Sequence, residues 1–160
     1  MKITYVKGDA TLPIGDGFKV ICHCCNDIGA WGAGFVMALS RRWPITKQSY
    51  HQWQRTGFCE GVPFSLGEVQ LVEVGEEITV ANIIGQEGIR RRGKEQPIRY
   101  GSIRKAFGHL CNVYQGNKAV SFHMPRIGCG LAGGSWSIME EIIESTLVNN
   151  GFKVYVYDLK

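Results

Sequence analysis

The 160-residue chain has no run of about 18 or more apolar residues, so the sequence offers no candidate for a membrane-spanning helix. Its opening, MKITYVKGDA, lacks an apolar segment of signal-peptide length, and a cytoplasmic protein is expected. No G-x-x-x-x-G-K-[ST] occurs, which removes support for a P-loop nucleoside triphosphatase. Internal repeats and low-complexity tracts are also absent, excluding solenoids and arrays. The charge excess is small, with 18 Lys and Arg against 14 Asp and Glu. That suits an anionic ligand but falls short of a basic nucleic-acid surface, so nucleic acid is expected only as a modified substrate. The densest cations, Arg90, Arg91, Arg92 and Lys94 beside Arg99, read as a solvated loop.

Metal ligands are scarce in a usable pattern. The run Cys22-His23-Cys24-Cys25 has no second C-x-x-C or H-x-x-H to complete a shell, and on a strand its side chains alternate between faces. No metal and no cofactor are expected. With Cys59, Cys111 and Cys129 the cysteines number six, yet a chain this long needs no covalent staples, and thiols rather than disulfides are expected.

At 44% hydrophobic and 20% charged residues, the chain suffices for one domain, residues 1–160, with a full core. KITYVKG and KVICHCC read as strands, the second apolar on both faces like a covered central strand. The helix GFVMALSRRW should stop at Pro44, and a helix is expected over QSYHQWQ. EVQLVEV and EITVANII read as a strand pair around Gly75. YGSIRKAFGHLCNVY places Ile103, Phe107, Leu110 and Val113 at helical spacing. AVSFHMPRI is a further strand. In SIMEEIIESTLVNN, Ser137 and Glu140 have capping-box spacing and Gly151 sits where a helix ends. FKVYVYDL is the last strand. Alternating strands and helices predict a three-layer α/β/α sandwich around a central mixed sheet of about six strands. Ligands of such folds bind beyond the carboxyl ends of the strands.

Two glycine-rich loops fall there, NDIGAWGAGF and RIGCGLAGGSW, each after a buried strand and before a helix. Glycine lets a ligand approach the main chain, so successive N–H groups can converge on an anion, and a following helix adds partial positive charge. A diphosphate fits this chemistry. Gly128, Gly130 and Gly133 match G-x-G-x-x-G, with Asp158 where a ribose-binding acid would fall, but only one strand remains after the loop, too little for a Rossmann dehydrogenase. A bulky residue at Gly128 is expected to block the anion site and spare the fold.

The chain resembles the macrodomains, which bind ADP-ribose. VKGDAT looks like the family's G-D-[IA]-T motif, ICHCCNDIGAWGAGFVMALSRRWP like its H-x-x-N-x-x-G-x-x-G-x-G segment, and MPRIGCGLAGG like its phosphate loop. The nearest branch holds terminal ADP-ribose glycohydrolases and ADP-ribose-1″-phosphate phosphatase-like proteins. The resemblance implies that Asp9 recognises adenine beside the backbone of Ala10. It implies that Asn26 meets the distal ribose, which Gly29, Gly32, Gly34 and Phe35 enclose and Trp31 walls. The phosphates would rest on the N–H groups of Ile127, Gly128, Cys129, Gly130 and Leu131.

Lysine-dependent glycohydrolases of that branch place a lysine and an acid where Gln86 and Ala132 stand here, so the resemblance implies that their mechanism is absent. It leaves hydrolysis of ADP-ribose-1″-phosphate, O-acetyl-ADP-ribose or an ADP-ribosylated acceptor through a positioned water. Asn26, Asp27, His23 and Gln86 are the candidate catalytic groups. The alternative is a non-catalytic ADP-ribose reader. A monomer is expected, with ADP-ribose or an ADP-ribosylated substrate as its partner and no membrane association.

Overall fold

A strand that is apolar on both faces belongs in the middle of a covered sheet. Lys19–Asn26 (β2) occupies that position in the computed structural model, which describes residues 2–117 and 119–160, and Ile78–Gln86 (β6), buried on both faces as well, pairs beside it. With Thr4–Lys7 (β1), Val69–Gly75 (β5), Ser121–Met124 (β7) and Lys153–Asp158 (β8) they form one sheet, ordered β1-β8-β7-β2-β6-β5. Five strands run parallel and β5 is antiparallel to β6, the pair expected around Gly75. Phe58–Cys59 (β3) and Val62–Pro63 (β4) form a small separate hairpin that the sequence pattern did not announce.

Helices cover both faces, giving the expected three layers. Phe35–Arg42 (α1) and Pro44–Thr56 (α2) bury Leu39, Tyr50 and Trp53 against Ile21, Cys25, Val80 and Ile84. Tyr100–Val113 (α3) and Trp136–Ile143 (α4) bury Phe107, Leu110, Met139 and Ile143 against Val20, Cys22, Ala81 and Ile83. Cys22 and Cys25 therefore lie on opposite sides of the sheet, and no disulfide forms among the described residues. No helix among them is long and apolar enough to cross a membrane.

Several boundaries differ from expectation. Pro44 ends α1 and also opens α2, because a proline at the first helical position forfeits only an N–H that has no partner there. The second helix is therefore longer than QSYHQWQ. The Ser137–Glu140 capping box does not form. Ser135 is the N-cap residue, Ser137 sits inside the first turn with its hydroxyl 3.1 Å from that of Ser135, and Glu140 accepts instead from the Tyr5 hydroxyl. Beyond Ile143 the chain continues as a π-helical turn, Glu144–Val148, before Gly151 reverses it. Val113 lies in the last turn of α3 and is exposed.

Because β2 and β7 are parallel neighbours, the segments leaving Asn26 and Met124 emerge side by side from one end of the sheet. The ends of β1, β6 and β8 point the same way.

Candidate functional site

The first glycine loop is built around one amide side chain. Asn26 Oδ1 accepts from the N–H groups of Ile28 and Ala30, at 3.1 and 3.0 Å, and Nδ2 donates to Ala30 O at 2.8 Å. The buried Tyr50 hydroxyl lies 2.9 Å from Asn26 Oδ1 and 2.6 Å from Asn26 O. The side chain expected to meet a ribose thus holds its own loop in shape. Asp27 ties that loop to the segment after β6: its Oδ1 accepts from Gly88 N–H at 2.8 Å and its N–H donates to Gln86 O at 3.1 Å.

Trp31, expected as a sugar wall, turns the other way. It is buried with its ring centre 5.4 Å from Tyr50 and 5.5 Å from His23, because an indole removes more apolar area from water in that core than on the rim. Its Nε1 is the one buried side-chain polar atom without a partner among the described residues.

The second loop closes on itself through four backbone bonds. Ile127 N–H donates to Pro125 O (2.7 Å), Cys129 N–H to Arg126 O (3.2 Å), Gly133 N–H to Gly130 O (3.0 Å) and Gly134 N–H to Gly128 O (2.8 Å). The amides of Ile127 and Cys129, expected to bind phosphate, are therefore consumed by the loop. Those of Gly128, Gly130, Leu131 and Ala132 have no protein partner among the described residues. Gly128 adopts φ 72°, and a methyl group there would lie 2.6 Å from Ile98 Cδ1. Its missing side chain would point into the core rather than the cleft, so a bulky replacement would disturb the fold, contrary to expectation.

Between the loops lies a cleft of about 280 Å³, bounded by His23, Phe35, Gln86, Arg126, Gly130 and Leu131. It adjoins a second cavity of about 370 Å³ that reaches Asn26, Gly32 and Ile89, and both share Cys24, Ala33 and Gln86. The structure thus gathers His23, Asn26, Gln86, Gly32, Gly34, Phe35, Ile127, Gly128, Gly130 and Leu131 around one groove. Asp27, Gly29, Trp31 and Cys129 lie outside its lining.

Asp9 and Ala10 also lie outside it, at the end of β1. Asp9 Oδ1 accepts from Thr11 N–H and Thr11 Oγ1, both at 2.8 Å, while Ala10 is buried. Asp158, expected as a ribose-binding acid, is paired with Arg126, whose hydrogen bonds hold its carboxyl below the usual range.

The floor of the groove is uncharged at neutral pH. Burial holds His23 well below the usual histidine range, at about 4. Asn82 Nδ2 donates to Gln70 Oε1 at 3.0 Å and lies 3.3 Å from Thr46 O, so Asn82 Oδ1 is the acceptor for His23 Nε2–H. Burial pushes the Cys24 thiol up to about 12 and raises that of Cys129, so neither is poised as a nucleophile. Gln86 Nε2 donates to Gly88 O at 3.0 Å, leaving its amide oxygen toward Cys24, at 3.9 Å. Beyond the expected residues, Arg126, Cys24 and Ile89 also line the groove. Of these, Arg126 carries a sequence signal, as the one charged residue in RIGCGLAGGSW.

The chain is 44% identical to the solved macrodomain protein from Streptomyces coelicolor, with a TM-score of 0.84 and 98% of this chain and 99% of that one covered. It is 25% identical over 171 residues to an ADP-ribose 1''-phosphate phosphatase from Lodderomyces elongisporus, covering 99% of this chain and 100% of the relative. It is 29% identical over 164 residues to Chromodomain-helicase-DNA-binding protein 1-like from Mus musculus, covering 97% of this chain and 17% of that protein's length. No family model matches the chain.

Proposed function

Because the chain belongs to the macrodomain family, we propose that it binds ADP-ribose in the groove between the two glycine loops and hydrolyses a terminal ADP-ribosyl derivative. The observation that carries this reading is the set of uncommitted amides at Gly128, Gly130, Leu131 and Ala132, facing the loop that opens α1. Converging N–H groups beside a helix N-terminus suit a diphosphate. The phosphatase name of the full-length Lodderomyces relative supports a phosphorylated or otherwise substituted distal ribose as substrate. Asp9 would read the adenine through its uncommitted Oδ2, beside the backbone of Ala10.

In this proposal the distal ribose occupies the cavity reaching Asn26 and Gly32. Gln86 is the polar side chain common to both cavities, and it would position the attacking water. Asn26 and Asp27 act by holding the loop, and neutral His23 accepts or orients rather than transfers a proton. With Gln86 and Ala132 at the two positions, no lysyl adduct forms on the sugar. The test incubates the protein with ADP-ribose-1″-phosphate, O-acetyl-ADP-ribose and an ADP-ribosylated peptide, with Gln86→Ala as control. Product formation that Gln86→Ala abolishes is expected.

One observation favours a second reading, a module that binds ADP-ribose without chemistry: no acidic side chain or lysine lines either cavity among the described residues. Calorimetric binding of ADP-ribose with no turnover of any of the three substrates would establish that alternative.

A further inference from the structure

Arg126 is the one charged side chain among the described residues that line either cavity. Its guanidinium is held in a fixed orientation. Nε donates to Asp158 Oδ1 at 2.8 Å and Nη2 to Asp158 Oδ2 at 3.1 Å. Its central carbon lies 5.3 Å from the ring centre of Tyr5 and 5.0 Å from that of Trp136. Those rings are themselves tied: Trp136 Nε1 donates to the Tyr5 hydroxyl at 3.0 Å, and that hydroxyl donates to Glu140.

A guanidinium carries five N–H donors in a planar fork. Asp158 takes the side edge, one hydrogen from Nε and one from Nη2. The end edge, formed by Nη1 and the second Nη2 hydrogen, donates to no protein group among the described residues. That edge matches two oxygens of a phosphate, which a lysine could meet only as a point charge. It belongs to the residue just before Ile127, and the uncommitted amides begin at Gly128. Those amides supply partial charges only, whereas a diphosphate brings full negative charge into the groove.

We propose that Arg126 is a ligand-binding residue of this groove, its Nη1/Nη2 edge taking two oxygens of a phosphate group while the amides of Gly128, Gly130, Leu131 and Ala132 hold the remainder. Asp158, Tyr5 and Trp136 are positioning residues that fix the edge before ligand arrives. The inference rests on the ADP-ribose reading for the ligand's identity, but the chemistry it names is phosphate.

The test is an NMR titration of the wild type, Arg126→Gln and Arg126→Lys with ADP-ribose, adenosine and inorganic pyrophosphate, with thermal melts of each. Both variants are expected to bind ADP-ribose roughly tenfold or more weakly, the loss typical of a charge-assisted hydrogen bond. Adenosine affinity should stay within about twofold, since adenosine has no phosphate to lose. In the wild type, the Arg126 side-chain N–H signals should shift with pyrophosphate alone, a readout that needs no variant to fold. Equal loss for adenosine and ADP-ribose would mark a merely structural role and overturn the proposal. So would undiminished ADP-ribose binding by Arg126→Gln, while undiminished binding by Arg126→Lys would overturn the bidentate geometry. If the wild type binds pyrophosphate through Arg126 but not ADP-ribose, the ADP-ribose reading falls and Arg126 stands. If it binds neither, both fall.

Discussion

The amide of Gly134 donates to the carbonyl oxygen of Gly128 at 2.8 Å and closes the second loop at its base. A methyl group at 134 would lie 2.5 Å from that same oxygen. Gly134→Ala is therefore expected to force the loop open, costing about 1–3 kcal/mol of stability as an overpacked contact does. The displaced amides should also weaken ADP-ribose binding. Denaturant unfolding and calorimetry check both effects, and an unchanged variant would contradict the loop geometry.

Gly128 and Gly130 should respond in opposite ways. Nothing lies within 4 Å of a side chain begun at Gly130, which has no positive φ. Gly130→Glu is expected to fold with a stability change within about 0.5 kcal/mol, as at an ordinary surface position, yet to lose ligand binding through charge repulsion. Gly128→Ala meets Ile98 at a positive φ and should lower the melting temperature. Melts alongside ligand titrations distinguish the two.

Asn26 and Tyr50 form a pair that a double-mutant cycle can measure. Asn26→Ala removes the acceptor of two loop amides, and Tyr50→Phe removes the hydroxyl beneath it. Each should cost about 1–2 kcal/mol, with a coupling of about 0.5 kcal/mol or more because they share an atom. Strict additivity in urea unfolding would show that the hydroxyl is satisfied by Asn26 O alone.

Acid should destabilise the fold through its buried histidines. His23 and His123 both titrate near 4, each chiefly because burial disfavours the charged ring. In the unfolded chain a histidine titrates near about 6.5, so between these values the unfolded state binds protons that the folded state refuses. Stability is full above about 6.5 and falls as pH drops toward 4, by at most about 1.4 kcal/mol per unit for each ring. His123 is seated between Ser121 Oγ and Tyr157 Oη, both at 2.7 Å, and His123→Gln should flatten the decline. Melts from pH 7.5 to 4.5 test the slope, and an identical slope in the variant would refute this origin.

Legibility varied with the range of the interaction. The layer order and the central placement of β2 follow from its apolar residues on both strand faces, a local pattern. The sequence places helix α4 but not its start, because Ser137 and Glu140 have capping-box spacing while Tyr5, distant in sequence, takes the carboxylate. The sequence marks Trp31 as an aromatic in a glycine-rich loop, yet its burial depends on the Tyr50 and His23 rings that the fold brings against it.

Sequence alone determined the order of the sheet strands and their covering helices, the two glycine loops and their place at the strand ends, because hydrophobic period and turn chemistry are written in neighbouring residues. The tertiary structure decided which amides remain uncommitted, which way Trp31 and Gly128 face, and that Arg126, paired with Asp158, lines the groove. A hydrogen-bond donor is available only if no partner reaches it, and that is a matter of distances between segments that meet only when the chain is folded.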